Sequence, residues 1–181
     1  YAIETNKFYC EYQTICCMKT GTIKGFESLL RWEDINGKRI PPDVFIDIAE
    51  KTSLIVPVTY WAIERSFAEF SQLEQTIVQE NLNIEQLFLS VNISAQVFHD
   101  SIFLDTLNQL CNKYELNPKQ IKLELTERIF VGNANTVETI SMAKSFGYKI
   151  SLDDFGTGYS CLSYLRFIDV DSIKIDMTFT K

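Results

Sequence analysis

Three observations predict an α/β fold built on a parallel sheet. From residue 87 onward, strand and helix patterns alternate without hairpin turns between them, which is how successive βαβ units read. Polar or acidic residues gather at the C-terminal ends of those strands, at Asn92, Glu124, Asp153 with Asp154, and Lys174. In parallel sheets and barrels that edge is where sites are built. No low-complexity stretch, Pro/Gly-rich linker or repeat of roughly 20 to 50 residues divides the chain. Residues 1–181 therefore read as one domain.

The elements follow in order. Residues 8–18 (FYCEYQTICCM) and 22–32 (TIKGFESLLRW) are rich in strand formers and meet across Gly21, predicting a hairpin or two adjacent strands. Pro41-Pro42-Asp43 signals a helix start ahead of VFIDIAEKT. Beyond Trp61, residues Ile63, Phe67, Phe70, Leu73 and Ile77 recur at helical spacing, so a long amphipathic helix buries one stripe. LFLSVNIS (87–94) reads as a buried strand. Asp100-Ser101 then caps a helix with Phe103, Leu107, Leu110 and Tyr114 on one face. The strand IKLELTE (121–127) follows Pro118, and the helix through VETISMAKSF ends at Gly147. YKISLDDFG (148–156), a short helical pattern in CLSYLRFI and the strand SIKID (172–176) complete the alternation.

Composition narrows the function. With 46% hydrophobic and 23% charged residues the chain has what an ordinary soluble globular core needs. Lys and Arg number 17 against 24 Asp and Glu, a net charge of -7 that opposes DNA and RNA phosphate backbones. A phosphate-bearing substrate remains compatible only if cations reverse the sign locally. No apolar window reaches the roughly 20 residues of a membrane span, and YAIETNKFYCEYQ lacks the pattern of a signal peptide. Cys10, Cys16, Cys17, Cys111 and Cys161 are odd in number, show no CxxC spacing and lie mostly in apolar segments. They read as reduced core thiols, which implies the cytoplasm. Strand alternation accounts for the adjacent pair Cys16-Cys17.

Four segments offer hard oxygen donors: Glu27 in ESLLRW, Asn92 in SVNIS, Glu124 in KLELTE, and Asp153-Asp154 in SLDDFG. Donors of this kind from separate strands suit Mg²⁺ or Mn²⁺, whereas zinc favours His and Cys. The single His99 follows Phe98 and precedes a helix cap, so it reads as a solvent-facing loop residue. Side chains alternate along a strand, so Asp153 and Asp154 reach one centre only where the strand has ended; Gly156 and Gly158 mark that end. Taken singly, each piece has a plainer account. A strand-end carboxylate pairs with a cation or caps a helix, Thr126-Glu127 opens a loop, and Arg31-Trp32 sets a cation over a ring. Asp154-Phe155-Gly156 resembles the metal-binding triplet of protein kinases, but no Gly-rich phosphate loop accompanies it. Four oxygen donors and one lysine at the same end of successive strands weigh against coincidence.

These segments together resemble the EAL domain family of cyclic di-GMP phosphodiesterases. ESLLRW is similar to the family's EALLRW, EYQTI to YQPI, and PPDVFIDIAEKTSLI to its proline-to-isoleucine helix run. SVNIS, LELTE, DDFGTGYSCLSYL and VDSIKID follow in the family's order, from about Tyr9 to Phe179, with DDFGTGYSCLSYL the most specific. The resemblance implies a TIM-type (β/α) barrel and hydrolysis of cyclic di-GMP to linear pGpG with two Mg²⁺ or Mn²⁺ ions. Glu27, Asn92, Glu124 and Asp153 resemble ligands of one metal, and Asp154 the ligand extending to a second. Lys174 looks like the contact to the nucleophilic water, Glu127 like the support of the DDFGTGYS loop, and Arg31 and Gln13 like substrate contacts, Arg31 at a phosphate.

The resemblance also implies a homodimer coupled to the metals through that loop, and a parent protein carrying a sensor or GGDEF-type domain. Departures from the family pattern are Ser28 for its alanine, Thr14 for its proline and Ser53 for its helix-end glycine. A family barrel runs to roughly 250 residues. The later segment bearing another metal-site glutamate, and the last strand, have no counterpart here. About six of eight strands are expected, with an open edge and an exposed apolar interior. A non-catalytic EAL-like module that binds cyclic di-GMP or a partner protein is the alternative: the retained acidic residues favour catalysis, the missing strands the module.

Overall fold

Strand-forming residues dominate the first two runs, and they pair antiparallel as β1 (Phe8–Cys16) and β2 (Ile23–Glu33), with Phe8 opposite Trp32 and Gln13 opposite Glu27. The computed structural model describes residues 7–81, 87–130, 135–156, 166 and 168–179. A two-residue β3 (Arg39–Ile40) pairs with the end of β2, and α1 (Pro42–Lys51) starts on Pro42 as the Pro-Pro-Asp signal predicts. Then come α2 (Ile55–Gln79), β4 (Phe88–Ile93), a single turn α3 (Ala95–Phe98), α4 (Phe103–Lys113) and β5 (Ile121–Thr126). The chain continues through α5 (Thr136–Phe146), β6 (Lys149–Phe155) and β7 (Ser172–Ile175).

The described strands form one sheet in the order β1-β2-β4-β5-β6-β7, with β3 beside β2. From β2 to β7 every neighbouring pair along that path is parallel. This is an α/β barrel sheet that does not close. β2 and β4 approach closely because Gly25 carries no side chain: a Cβ there would collide with the Phe88 carbonyl oxygen and ring.

Alternation along each parallel strand separates two faces. Leu89, Val91, Ile93, Leu123, Leu125, Ile150 and Leu152 point to the helices and are nearly or wholly buried. They share one core with Ile63, Phe67 and Phe70 of α2, Phe103 and Leu107 of α4, and Ile140 of α5. A smaller cluster of Phe8, Phe45 and Val58, flanked by Trp32 and Trp61, fixes α1 and α2 against β1 and β2. The opposite face carries Ser90, Lys122, Glu124, Ser151, Asp153, Ser172 and Lys174. The expected apolar interior is thus corrected: the face left open by the unclosed sheet is mainly polar, with Phe88 of β4 and Leu29 of β2 as apolar exceptions, because most apolar residues of these strands lie on the other face.

Other expectations change in detail. Asp100 does not cap α4 directly; its carboxylate accepts the Ile102 N–H one turn ahead, and Ile102 is the cap residue. His99 is half-buried, with Nε2 3.1 Å from the Thr136 hydroxyl, so it is not a solvent-facing residue. Burial holds its pKa below the usual histidine range. Of the described cysteines only Cys111 lies in the core, while Cys16 is exposed and Cys10 and Cys17 are intermediate. Cys161 and the helical pattern over 161–168, apart from Arg166 and Ile168, lie outside the described residues. Arg31 and Trp32 point to opposite faces of β2, so no stacked pair forms: Trp32 packs on Phe8 and Phe45 while Arg31 pairs with Glu11. Among the described residues no helix is long and apolar enough to cross a membrane.

Ser53 stands where the resemblance expects glycine, and its φ is +57°, in the left-handed region just past the Thr52 end of α1. An L-residue there carries about 1–2 kcal/mol of strain, only partly offset by the lower chain entropy of serine in the unfolded state. Ser53→Gly is therefore expected to stabilise the fold by about 0.5–1 kcal/mol. Urea denaturation of the two proteins checks this, and an unchanged or lower midpoint refutes it.

Candidate functional site

Residues in register on parallel strands stand side by side on one face, and that rule assembles the site. Glu27 lies opposite Ser90, two positions before Asn92; Asn92 lies opposite Glu124, and Glu124 opposite Ser151, two positions before Asp153. Ser151 in turn lies opposite Ser172, two positions before Lys174. Carboxylate oxygens of Glu27, Glu124 and Asp153 come within 4.8 Å of one another. The Lys174 ammonium sits among them, 2.6 Å from Glu124 Oε2, 2.9 Å from Asp153 Oδ2 and 3.1 Å from Glu27 Oε2.

The remaining oxygens of these carboxylates are also engaged. Asn92 Nδ2 donates to Glu27 Oε1 at 3.1 Å, the Ser90 hydroxyl donates to Glu124 Oε1, and the Asp154 N–H donates to Asp153 Oδ1 at 2.9 Å. The Glu124 side chain is 1% exposed, and burial pushes its carboxyl pKa up against the opposing pull of Lys174 and Ser90. Burial alone would favour a neutral Lys174. Hydrogen bonds and charge from Glu124 and then Asp153 outweigh it and hold the lysine well above its ordinary range. With the folded pKa raised, the stability these contacts supply is present through neutral pH and is lost only as pH rises far into alkali. In this arrangement Lys174 is a donor, not a proton acceptor.

Asp154 is not in the cluster of three. Here the structure corrects the expectation that the strand ends before the two aspartates separate. β6 continues to Phe155, and the pairing shifts between Leu152 and Phe155 by one extra residue, a bulge in which Asp154 adopts φ +52°. Burial, then the charges of Asp153 and Asp176, push the Asp154 pKa up. Glu127, in the turn directly after β5, is buried, and its Oε1 accepts the Gly156 N–H at 3.1 Å, tying the ends of β5 and β6 together.

Arg31 projects from the same face of β2 as Glu27, four residues and so about 13 Å further along. Its Nε donates to Glu11 Oε2 at 2.7 Å and its Nη1 to the Leu30 carbonyl at 3.0 Å, which fixes the guanidinium plane. Gln13 is exposed on the neighbouring strand, directly opposite Glu27. A cleft of about 720 Å³ runs from Arg31 past Asn92 and Glu124 to Glu127, Arg128 and Asp154, between the strand ends and α1 and α2. Two supporting residues escape motif reasoning, Ser90 and Glu11. The signal for Ser90 was a lone hydroxyl in an apolar run two residues before Asn92, and for Glu11 its place two residues before Gln13 on one strand face.

Ser28, the residue after Glu27, points away from the cluster. Its hydroxyl lies 2.6 Å from that of Ser66 on α2, which itself donates to the Ala62 carbonyl. The departure from alanine is therefore absorbed on the helix side.

Three carboxylates with an adjacent amide, and neither imidazole nor thiolate, form a donor set that fits a hard divalent cation. The EAL domain family model matches residues 1–181. Over 178 residues the chain is 38% identical to the probable cyclic di-GMP phosphodiesterase PdeB of Escherichia coli, covering 98% of this chain and 33% of that protein. It is 34% identical over 175 residues to a cyclic di-GMP phosphodiesterase of Pseudomonas aeruginosa, covering 96% of this chain and 29% of that protein. The chain thus spans about a third of the length of these curated relatives. Among solved structures, the EAL enzyme Bd1971 in its cAMP-bound form superposes with TM-score 0.92 at 35% identity, covering 98% of this chain and 49% of that one. The MucR phosphodiesterase in complex with c-di-GMP gives TM-score 0.87 at 30% identity, covering 98% of this chain and 70% of that one.

The tether at Gly156 is testable. Glu127→Ala removes the acceptor of the Gly156 N–H and is expected to raise exchange of that amide with solvent by about tenfold, the equivalent of one hydrogen bond to a charged group. Glu127→Gln, which keeps an acceptor oxygen, is expected to restore most of the protection. NMR-detected hydrogen exchange reads both; equal rates in all three proteins refute the tether.

Proposed function

The chain belongs to the EAL domain family, and on that premise we propose that it forms the catalytic part of a phosphodiesterase that opens cyclic di-GMP to linear pGpG. The observation that carries this reading is the convergence of Glu27, Glu124 and Asp153 from separate parallel strands within 4.8 Å, with Asn92 beside them. Relatives named as cyclic di-GMP phosphodiesterases, and a phosphodiesterase solved in complex with c-di-GMP, support the substrate. Glu27, Asn92, Glu124 and Asp153 would hold one divalent ion, and Asp154 would extend the site to a second; Mg²⁺ and Mn²⁺ suit the oxygen donors.

The chemistry follows from charge. A phosphodiester is an anion that repels hydroxide, on a protein whose own net charge is -7. When bound, the divalent ions offset that negative charge and make a nucleophile available near neutral pH. Arg31, its guanidinium plane fixed by Glu11 and Leu30, holds a non-bridging phosphate oxygen. Lys174, which reaches the same carboxylates from β7, would orient the attacking water or help deprotonate it. Gln13, opposite Glu27 on β1, faces the same substrate, and Glu127 steadies the backbone after Asp153 and Asp154 through Gly156. The reading extends to a homodimer and to an attached sensor or GGDEF-type domain in the parent protein.

The test is hydrolysis of cyclic di-GMP by the purified chain with Mg²⁺ or Mn²⁺, with Ca²⁺ as the inhibitory control and product resolved by chromatography. Linear pGpG is expected only with Mg²⁺ or Mn²⁺. Glu27→Ala is expected to lower turnover by about a hundredfold or more while leaving the circular dichroism spectrum unchanged. Undiminished turnover in that variant removes Glu27 from the site and overturns the assignment.

A further inference from the structure

Each carboxylate oxygen of the cluster has a hydrogen-bond partner in the protein itself. Glu27 receives Asn92 and Lys174, Glu124 receives Ser90 and Lys174, and Asp153 receives the Asp154 N–H and Lys174. Among the described residues Lys174 alone touches all three, from a fourth strand, at 2.6 to 3.1 Å. Those are the contacts of a cation seated in the centre of a cation site. The Lys174 side chain is 36% exposed, against 1%, 14% and 19% for Glu124, Glu27 and Asp153, so its ammonium approaches the buried carboxylates from the open side.

We propose that Lys174 is a built-in place-holder: its ammonium occupies the centre of the Glu27–Glu124–Asp153 cluster and must yield that place when a divalent cation binds. Lysine suits the task. Its ammonium is a compact point charge on a flexible four-carbon stem, so it can leave without disturbing the strands. Its single positive charge balances only part of three carboxylates, so a divalent ion of greater charge density displaces it while Na⁺ or K⁺ does not. Two consequences follow. The cation-free site stays assembled, because Lys174 prevents three carboxylates from facing one another unscreened. Metal affinity is held below what the bare carboxylates would give, since each binding event breaks three ion pairs. The same displacement frees the ammonium for the attacking water. This inference rests on the proposal that the three carboxylates hold a divalent ion.

The experiment uses the purified chain, Lys174→Met and Lys174→Gln, with Mn²⁺ alone as the probe. In EDTA, loss of the ammonium is expected to lower the melting temperature by about 5 °C or more, the size expected for a broken, partly buried ion-pair set in a domain of this length. In calorimetric titrations, both variants are expected to bind Mn²⁺ about tenfold more tightly than the wild type, within the range for directly contacting charged groups. Their melting temperatures should accordingly rise more on adding Mn²⁺. Lys174→Gln retains hydrogen-bond donors, so it keeps the comparison available if the methionine variant does not fold. Mn²⁺ bound by the wild type with equal or greater affinity than by the variants overturns the place-holder while leaving the metal site standing. No Mn²⁺ binding by any of the three proteins overturns the metal site and the place-holder together.

Discussion

Charge balance among four strand ends is the constraint on which the rest of this molecule depends. The carboxylate oxygens lie within 4.8 Å of one another, so each pair repels by about 3 kcal/mol or more at an effective dielectric of about 20, while each ammonium contact near 3 Å attracts by about 5 kcal/mol. Attraction and repulsion are thus of similar size. Desolvation of Glu124 and Lys174 then takes back several kcal/mol per ion. The cluster is consequently far from the deep energy well that a list of three ion pairs suggests. A site poised in that way can exchange one cation for another, as the proposed function requires.

The sheet separates this balance from the stability of the fold. Alternate residues of β4, β5 and β6 bury Leu, Val and Ile under α2, α4 and α5, and the residues between them carry the polar site face. A one-residue slip of any strand would turn carboxylates into the helix-side core and leucines outward. The apolar face therefore fixes the register of the carboxylates without touching them. Where a polar group enters the helix side, its hydrogen bonding is internal: Ser28 meets Ser66, and Tyr148 meets Asn108 at 2.9 Å.

Elements with strong periodicity or clear punctuation were legible in the sequence: the first hairpin around Gly21, α1 from Pro42, the end of α5 at Gly147, and all four parallel strands from β4 to β7. The acidic residues were legible too, because oxygen donors from four segments fall at the same end of successive strands, a coincidence that single ion pairs or caps do not account for. What the sequence hid was three-dimensional in origin. Lys174 could be placed at a strand end, but its position at the centre of the carboxylates depends on the register of four strands at once. The polar character of the open face departs from the general expectation for an unclosed barrel, because it depends on which side of each strand the helices cover. The half-buried His99 depends on Thr136, 37 residues away, which no local pattern encodes.

The end of β6 shows how backbone and chemical demands fall on the same residues. On a regular strand Asp153 and Asp154 would point to opposite faces, and only Asp153 could join the cluster. The bulge keeps Asp153 in the cluster and places Asp154 outside it at positive φ, a conformation aspartate tolerates better than most side chains. Gly156 follows at φ +98°, a conformation that favours glycine, with the Phe179 ring 3.0 Å from where a Cβ would stand. Its N–H then goes to Glu127, three residues beyond Glu124 on the adjacent strand. Three residues of Asp-Asp-Phe-Gly thus have a geometric role before any ion or substrate is considered: Asp153 faces the ammonium, Asp154 turns the chain at positive φ, and Gly156 turns it again to reach Glu127. Substitutions here that spare the chemistry would still disturb the turn that delivers it.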